Sequence, residues 1–297
     1  MNRSITTETE GRGRALWLST LAFAAGFAVW TVFSVIGVQI KQDLGLSETQ
    51  FGLLIGTPIL TGSLIRILVG VWADQYGGRI VMSLVMVAAA IATFLLSWAA
   101  TYPAMLATAL AVGVAGGAFT AGISYLSRWY PSEQQSTAIG IFSVGHAGAA
   151  LTLIFAPFVL VAYGWQTVAQ VWAGALLVMA ILFFIVASED PETRKRRASG
   201  ERAKGLWEQL EPLRHIQVWR FSLYYFFVFG AFVGLALWLP RYLMGVYGLD
   251  IVTAGLVAAV FALPAAVFRP YGNHLAEKYG ARRVMYWTFL VSVVCTF

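Results

Sequence analysis

Apolar and polar positions along this chain segregate into long blocks and do not alternate residue by residue. Eight mostly apolar runs, at 15–39, 50–73, 80–100, 104–127, 135–160, 165–187, 219–239 and 251–275, are followed by a ninth that begins at 284. At about 1.5 Å per residue, roughly 20 such residues in a helix cross the ~30 Å hydrocarbon layer. A membrane β-barrel would instead alternate over segments of about 10 residues. The predicted fold class is therefore an all-α polytopic membrane protein. One long polar segment, 188–218, separates six runs from the rest. The expected organisation is an N-tail (1–14), a six-helix half (15–187), a linker (188–218) and the first part of a second half (219–297). Within the linker, 205–213 reads equally as a short surface helix or as plain solvated chain. The polar N-tail precedes an apolar run of about 25 residues, too long for a signal-peptide core, so that run reads as a retained span.

Two arginines interrupt the apolar runs. RILVGVWADQYGGRIVM, from Arg66 to Met82, returns 203 residues later as RPYGNHLAEKYGARRVM, from Arg269 to Met285. Seven of the 17 positions are identical without a gap, Asp74 aligns with Glu277, and Gly52-Leu53 aligns with Gly255-Leu256. The chain is an internal duplication. If its two copies are parallel repeats about an axis along the membrane normal, Arg66 and Arg269 lie at one depth on opposite walls of a central cavity. With three runs in the second copy against six in the first, the expectation is a twelve-span protein of which this sequence is a truncated part.

Composition sharpens the class. The chain is 59% hydrophobic and 11% charged with a mean hydropathy of +0.73, against about 25% charged residues in a soluble domain. The net charge of +6 does not imply nucleic acid. Of the 20 Lys and Arg, 16 fall in the N-tail, the loops after even-numbered runs, and the linker together with Arg220 just beyond it, while only Lys41 and Arg241 lie on the other side. The positive-inside rule then places the N-terminus and linker in the cytoplasm. The single cysteine, Cys295, cannot form an internal disulfide. No metal-ligand spacing, nucleotide-binding loop or catalytic triad is present, so no cofactor, metal or enzymatic activity is expected.

An arginine at the depth of Arg66, about 12 Å from the nearer end of its run, costs at least ~2.5–3.5 kcal/mol to insert. Its side chain cannot snorkel that far. An internal ion pair is the ordinary remedy. Yet all 14 acidic residues lie in tails, loops or span ends. Two buried cations without a fixed counter-charge call for a mobile anion. The planar guanidinium fork suits a flat oxyanion, to which it gives two parallel hydrogen bonds.

The turn after the second run, Gly70-x-x-x-Asp74-x-x-Gly77-Gly78-Arg79, resembles the signature loop of the major facilitator superfamily, with an echo in Glu277-x-x-Gly280-x-Arg282-Arg283. That resemblance implies two six-helix halves and gives Asp74, Arg79, Glu277 and Arg282 the role of a conformational latch. More narrowly, the chain resembles the NarK-type nitrate/nitrite porters. Arg66 and Arg269 correspond to arginines that bind the anion in that family. Phe119 in GGAFTAG resembles its phenylalanine of span four, and Tyr225 and Phe229 in YYFFVFGAFVG its pair of span seven. GIFSVGHAGAA (Gly140–Ala150) resembles its glycine-rich signature, with His146 where asparagine is usual.

Taken alone, Phe119 and Phe229 read as helix packing, Tyr225 as satisfied by a neighbouring helix, and Gly145 equally as close packing or as room for an anion at the backbone. His146 would donate to the anion if neutral, or link binding to protons if charged. His215 and His274 read as interfacial. The resulting expectation is a monomeric secondary transporter in a bacterial inner membrane. It would carry nitrate and/or nitrite by alternating access, with protons as a second candidate cargo. The alternatives are a proton-coupled carrier of another small or organic anion and a non-transporting nitrate sensor.

Overall fold

The computed structural model describes residues 2–199 and 205–296. Fourteen α-helices follow in chain order. The first seven are α1 (Asn2–Trp30), α2 (Phe33–Asp43), α3 (Glu48–Tyr76), α4 (Gly78–Leu96), α5 (Tyr102–Val112), α6 (Ala118–Ser127) and α7 (Ser132–Phe142). The second seven are α8 (Gly148–Val186), α9 (Pro191–Ser199), α10 (Leu206–Gln209), α11 (Ile216–Tyr247), α12 (Ile251–Val267), α13 (Arg269–Tyr279) and α14 (Ala281–Thr296). Among the described residues no strand occurs.

Seven continuous helical segments are long and apolar enough to cross a membrane, from Gly11–Asp43 to Ile251–Tyr279. One of them, Ser132–Val186, is 55 residues long. It reverses at Gly164, whose φ of 82° only glycine adopts without strain. It therefore makes two crossings, giving the eight expected from the apolar runs. α14, with 16 residues, begins the ninth run. The linker differs from expectation. Its most regular part is α9, whereas 205–213 holds only the single turn of α10 and the start of a 3₁₀ turn at Glu211–Arg214. α9 begins at Pro191, a favoured residue at the first helical position, and runs through a basic RKRR sequence that the apolar pattern could not flag.

The duplication extends to the ends of the helices. Ser47 caps α3, its side chain accepting from the Gln50 N–H while the Gln50 amide reaches back to the Ser47 N–H. Asp250, 203 residues on, caps α12 by accepting from the Val252 and Thr253 N–H groups. At the other end, Gly77 and Gly280 stop their helices in matching backbone conformations, φ 93° and 87°. Between these ends the copies differ. Pro58 is absorbed within α3. In the second copy Pro270 has no N–H to continue the ladder, and the α-helical bonding pattern lapses for one residue at Phe268, whose backbone stays right-handed, so that Arg269 opens α13.

The aliphatic and aromatic core lies among the first six crossings, with Phe23, Phe27, Trp30, Phe142 and Phe183 fully enclosed. Large apolar residues point outward along α4 and α8, among them Leu84, Ile91, Phe155 and Phe158. Lipid is the natural partner for such a belt. α12 packs along α8, α13 against α7, and α11 against α2. At the end opposite the α3–α4 turn, Arg241 of α11 grips both oxygens of Glu48 at 2.6 and 2.7 Å. Lys41 donates to the same carboxylate. The two basic residues that fall outside the main charge asymmetry are thus both engaged with one acid.

Candidate functional site

The two arginines converge on one aromatic chamber. Arg66 leaves the middle of α3 and donates from Nε to the Gly116 carbonyl at 3.2 Å. Its guanidinium carbon lies 5.4 Å from the Trp30 ring, 5.4 Å from Phe119 and 5.5 Å from Phe229. Arg269 lies over Phe232 at 5.3 Å. Its Nε is buried without a hydrogen-bond partner. Among the described residues, no carboxylate forms an ion pair with either arginine. Phe229 and Phe232 are one turn apart on α11, so a single helix face meets both cations.

His146 stands between them, fully buried. It sits in a 3₁₀ segment, Ser143–Ala147, that interrupts the crossing between α7 and α8. Phe23 and Phe27 lie 4.8 Å from its ring, Phe119 and Phe229 5.5 Å, and Phe232 6.2 Å. Its Nδ1 is 2.7 Å from the Ser143 carbonyl. A carbonyl only accepts, so Nδ1 carries the proton and a neutral ring presents Nε2 as a bare lone pair. Neutral His146 therefore lacks the donor that the comparison with asparagine suggested. Tyr225 stacks on Phe229 at 4.9 Å. Its hydroxyl faces Arg66 and lies within the field of Arg269. A cleft of about 890 Å³ between α3 and α11 reaches this point, lined in part by Ser63, Arg66, Gln217, Ser222, Tyr225 and Phe229.

Phe119 and Phe229, singled out by the family resemblance, surround the Arg66 guanidinium, where ring faces favour a cation. The space beside Gly145 is taken: a Cβ there would strike Phe23 and stand 3.0 Å from the Thr20 carbonyl. Its geometry is that of a close contact with α1, which seats the His146 turn. Sequence reasoning missed Trp30, Phe23, Phe27 and Phe232. Phe232 was within reach of it, because 225, 229 and 232 follow helical spacing on one face.

The four residues of the signature turns do not pair with one another. Asp74 binds Arg128 at 2.7 Å and accepts from Ser124 at 2.9 Å. Arg128 also donates to Thr193 of α9 at 2.8 Å. Arg79 donates to the Phe184 carbonyl at 3.1 and 2.5 Å. Arg282 donates to the Tyr286 hydroxyl at 3.0 Å. Of the two in the second copy, Glu277 reaches the first six crossings, accepting from Thr137 at 3.4 Å, and Asn273 donates to the Ser136 carbonyl at 3.0 Å nearby. α9 lies across the first turn, with Arg196 on the Gln75 carbonyl and Arg197 on that of Tyr76.

Residues 18–297 match the family model described as Major Facilitator Superfamily. The chain belongs to this superfamily. Within it, it belongs to the NarK-type porters. It is 42% identical to a probable nitrate/nitrite antiporter, NarK1, of Thermus thermophilus, over 95% of this chain and 65% of that protein. It is 30% identical to a nitrite extrusion protein of Bacillus subtilis, over 92% of this chain and 68% of that protein. The chain thus spans about two thirds of the length of these relatives. Among solved structures, it superposes on a bacterial homologue of the human lysosomal transporter Spinster, in an inward-facing and unoccupied conformation, with a TM-score of 0.71 and 25% identity. That match covers 92% of this facilitator and 64% of the other chain. The relatives are transporters, not enzymes, and this facilitator is a multi-pass membrane protein.

Proposed function

We propose that this facilitator is a secondary transporter of nitrate and/or nitrite in a bacterial inner membrane, acting as a monomer with its N-terminus in the cytoplasm. The observation that carries the reading is the pair of arginines without a carboxylate among the described residues, one of them with a buried Nε that has no acceptor there. An oxyanion supplies that acceptor. Nitrate is flat, and two forks can hold two of its edges while Phe119, Phe229 and Phe232 exclude water. Tyr225 adds a hydroxyl from α11. Chamber walls made mostly of phenylalanine offer few hydrogen bonds to a larger, polyfunctional anion, which favours a small one.

The anion also supplies a reason to move. Empty, the chamber holds two uncompensated positive charges; filled, most of that repulsion is removed. Occupancy would let the halves on either side of the linker 188–218 rock about the site. The turns at Asp74/Arg79 and Glu277/Arg282 serve as latches at one end, and Glu48 with Arg241 at the other. The test is anion flux through proteoliposomes, with nitrate outside and nitrite inside, at two pH values. Nitrate uptake that depends on internal nitrite is expected, with both arginines required. Unchanged flux when Arg66 or Arg269 becomes lysine, which keeps the charge and loses the fork, would remove the reading.

A further inference from the structure

Trp30 has no assigned part in anion binding, yet it is built into the support of Arg66. It is the last residue of α1 and is 1% exposed. Its indole Nε1 donates to the Pro58 carbonyl on α3 at 2.8 Å. The ring lies in a slot cut by glycines. A Cβ on Gly62 would stand 2.8 Å from Trp30 Cε2, and one on Gly116 would stand 3.1 Å from the same atom. Gly116 is also the residue whose carbonyl receives the Arg66 Nε–H. One slot therefore fixes the indole, the acceptor and, through the 5.4 Å stacking contact, the guanidinium.

We infer that Trp30 is a positioning residue that sets the plane of the Arg66 fork for the anion. Tryptophan is the strongest of the ring platforms for a cation. Its hydrogen bond to α3 stops it from turning, as a phenylalanine could. The indole touches Phe27 at 5.4 Å, whereas Phe119 touches Phe23, Phe142 and His146. What Trp30 and Phe119 share is Arg66. Arg269, with Phe232 beneath it, has no such anchored platform. This assignment rests on the reading of Arg66 as an anion ligand.

The experiment uses the full chain in proteoliposomes and reads nitrate KM and Vmax for W30F, W30L, F119L, F232L and the W30L double variants. W30F should raise KM about threefold and W30L about tenfold, with Vmax within about twofold of wild type. W30L and F119L should fall well short of multiplying, because both act on one guanidinium. W30L and F232L should multiply. The assignment is overturned if both pairs multiply, or if KM holds while Vmax and folded yield fall. Should W30L not fold, an unchanged KM in W30F overturns it equally, and a raised one with normal yield supports it. R66K, run alongside, separates the two ideas: an unchanged nitrate KM there removes the anion reading itself.

Discussion

The two copies of the duplicated segment are alike at their ends and unlike in the middle. Ser47 and Asp250 cap in the same register, and Gly77 and Gly280 stop in the same conformation. Between them, Arg66 is held by a carbonyl and three rings on a continuous helix, while Arg269 opens a new helix with one ring and an unanswered Nε. The difference teaches that equal register does not mean equal restraint. One arginine is placed by the protein in advance. The other, on the proposed function, is left for the anion to place.

Lysine at either position tests that contrast with the largest effect. Losing a charge-assisted pair of hydrogen bonds costs about 1.5–3 kcal/mol, so nitrate KM should rise roughly 10- to 100-fold. Arg269→Lys is expected at the upper end, since nothing else holds its charge in place, and equal losses would break the asymmetry. Next come the glycines. Gly116→Ala drives a methyl to 2.8 Å from the Gly62 Cα; overpacking costs about 1–3 kcal/mol, to be seen as a lower melting temperature and a raised KM. Gly272→Ala, with open space around it, should leave both unchanged. Phe232→Leu removes the ring that lies under Arg269 and should raise KM about two- to fivefold by the loss of a cation–π contact.

The smallest effects belong to the caps. Ser47→Ala should cost about 1 kcal/mol in stability at any pH. Asp250 differs, because the Thr253 hydroxyl and N–H groups hold its carboxyl below the usual carboxylate range. A lowered folded-state value means its stabilisation is present above that range and is lost as pH falls through the lowered value. The melting-temperature gap between wild type and Asp250→Ala should therefore close on acidification, while the Ser47→Ala gap stays.

Much of this was legible in the sequence. The crossings follow from the length of apolar runs, and the positions of Arg66 and Arg269 from one offset of 203 residues. What escaped depended on which helices touch. Trp30 reads as one more apolar residue until Gly62 and Gly116 are seen to make room for it. The 3₁₀ segments at Gly113–Gly117 and Ser143–Ala147 lie in runs whose glycines announce close packing but not the kind of helix. Nothing in the sequence sets Arg128 apart from the other loop charges, and only the approach of α6 to α3 gives it Asp74. The donor role expected of His146 fails on a single carbonyl, that of Ser143, three residues away.

The break at Phe268 has a mechanical result. α13 is a helix of 11 residues, about 16 Å long, packed against α7 and α14. It bears Arg269 at its first position and Glu277, in touch with Thr137, near its last. If the anion binds Arg269 as proposed, it pulls on the same short helix that carries Glu277. On that reading, one stretch of backbone, and not a chain of side chains, joins the proposed site to the Thr137 contact at the other end of α13.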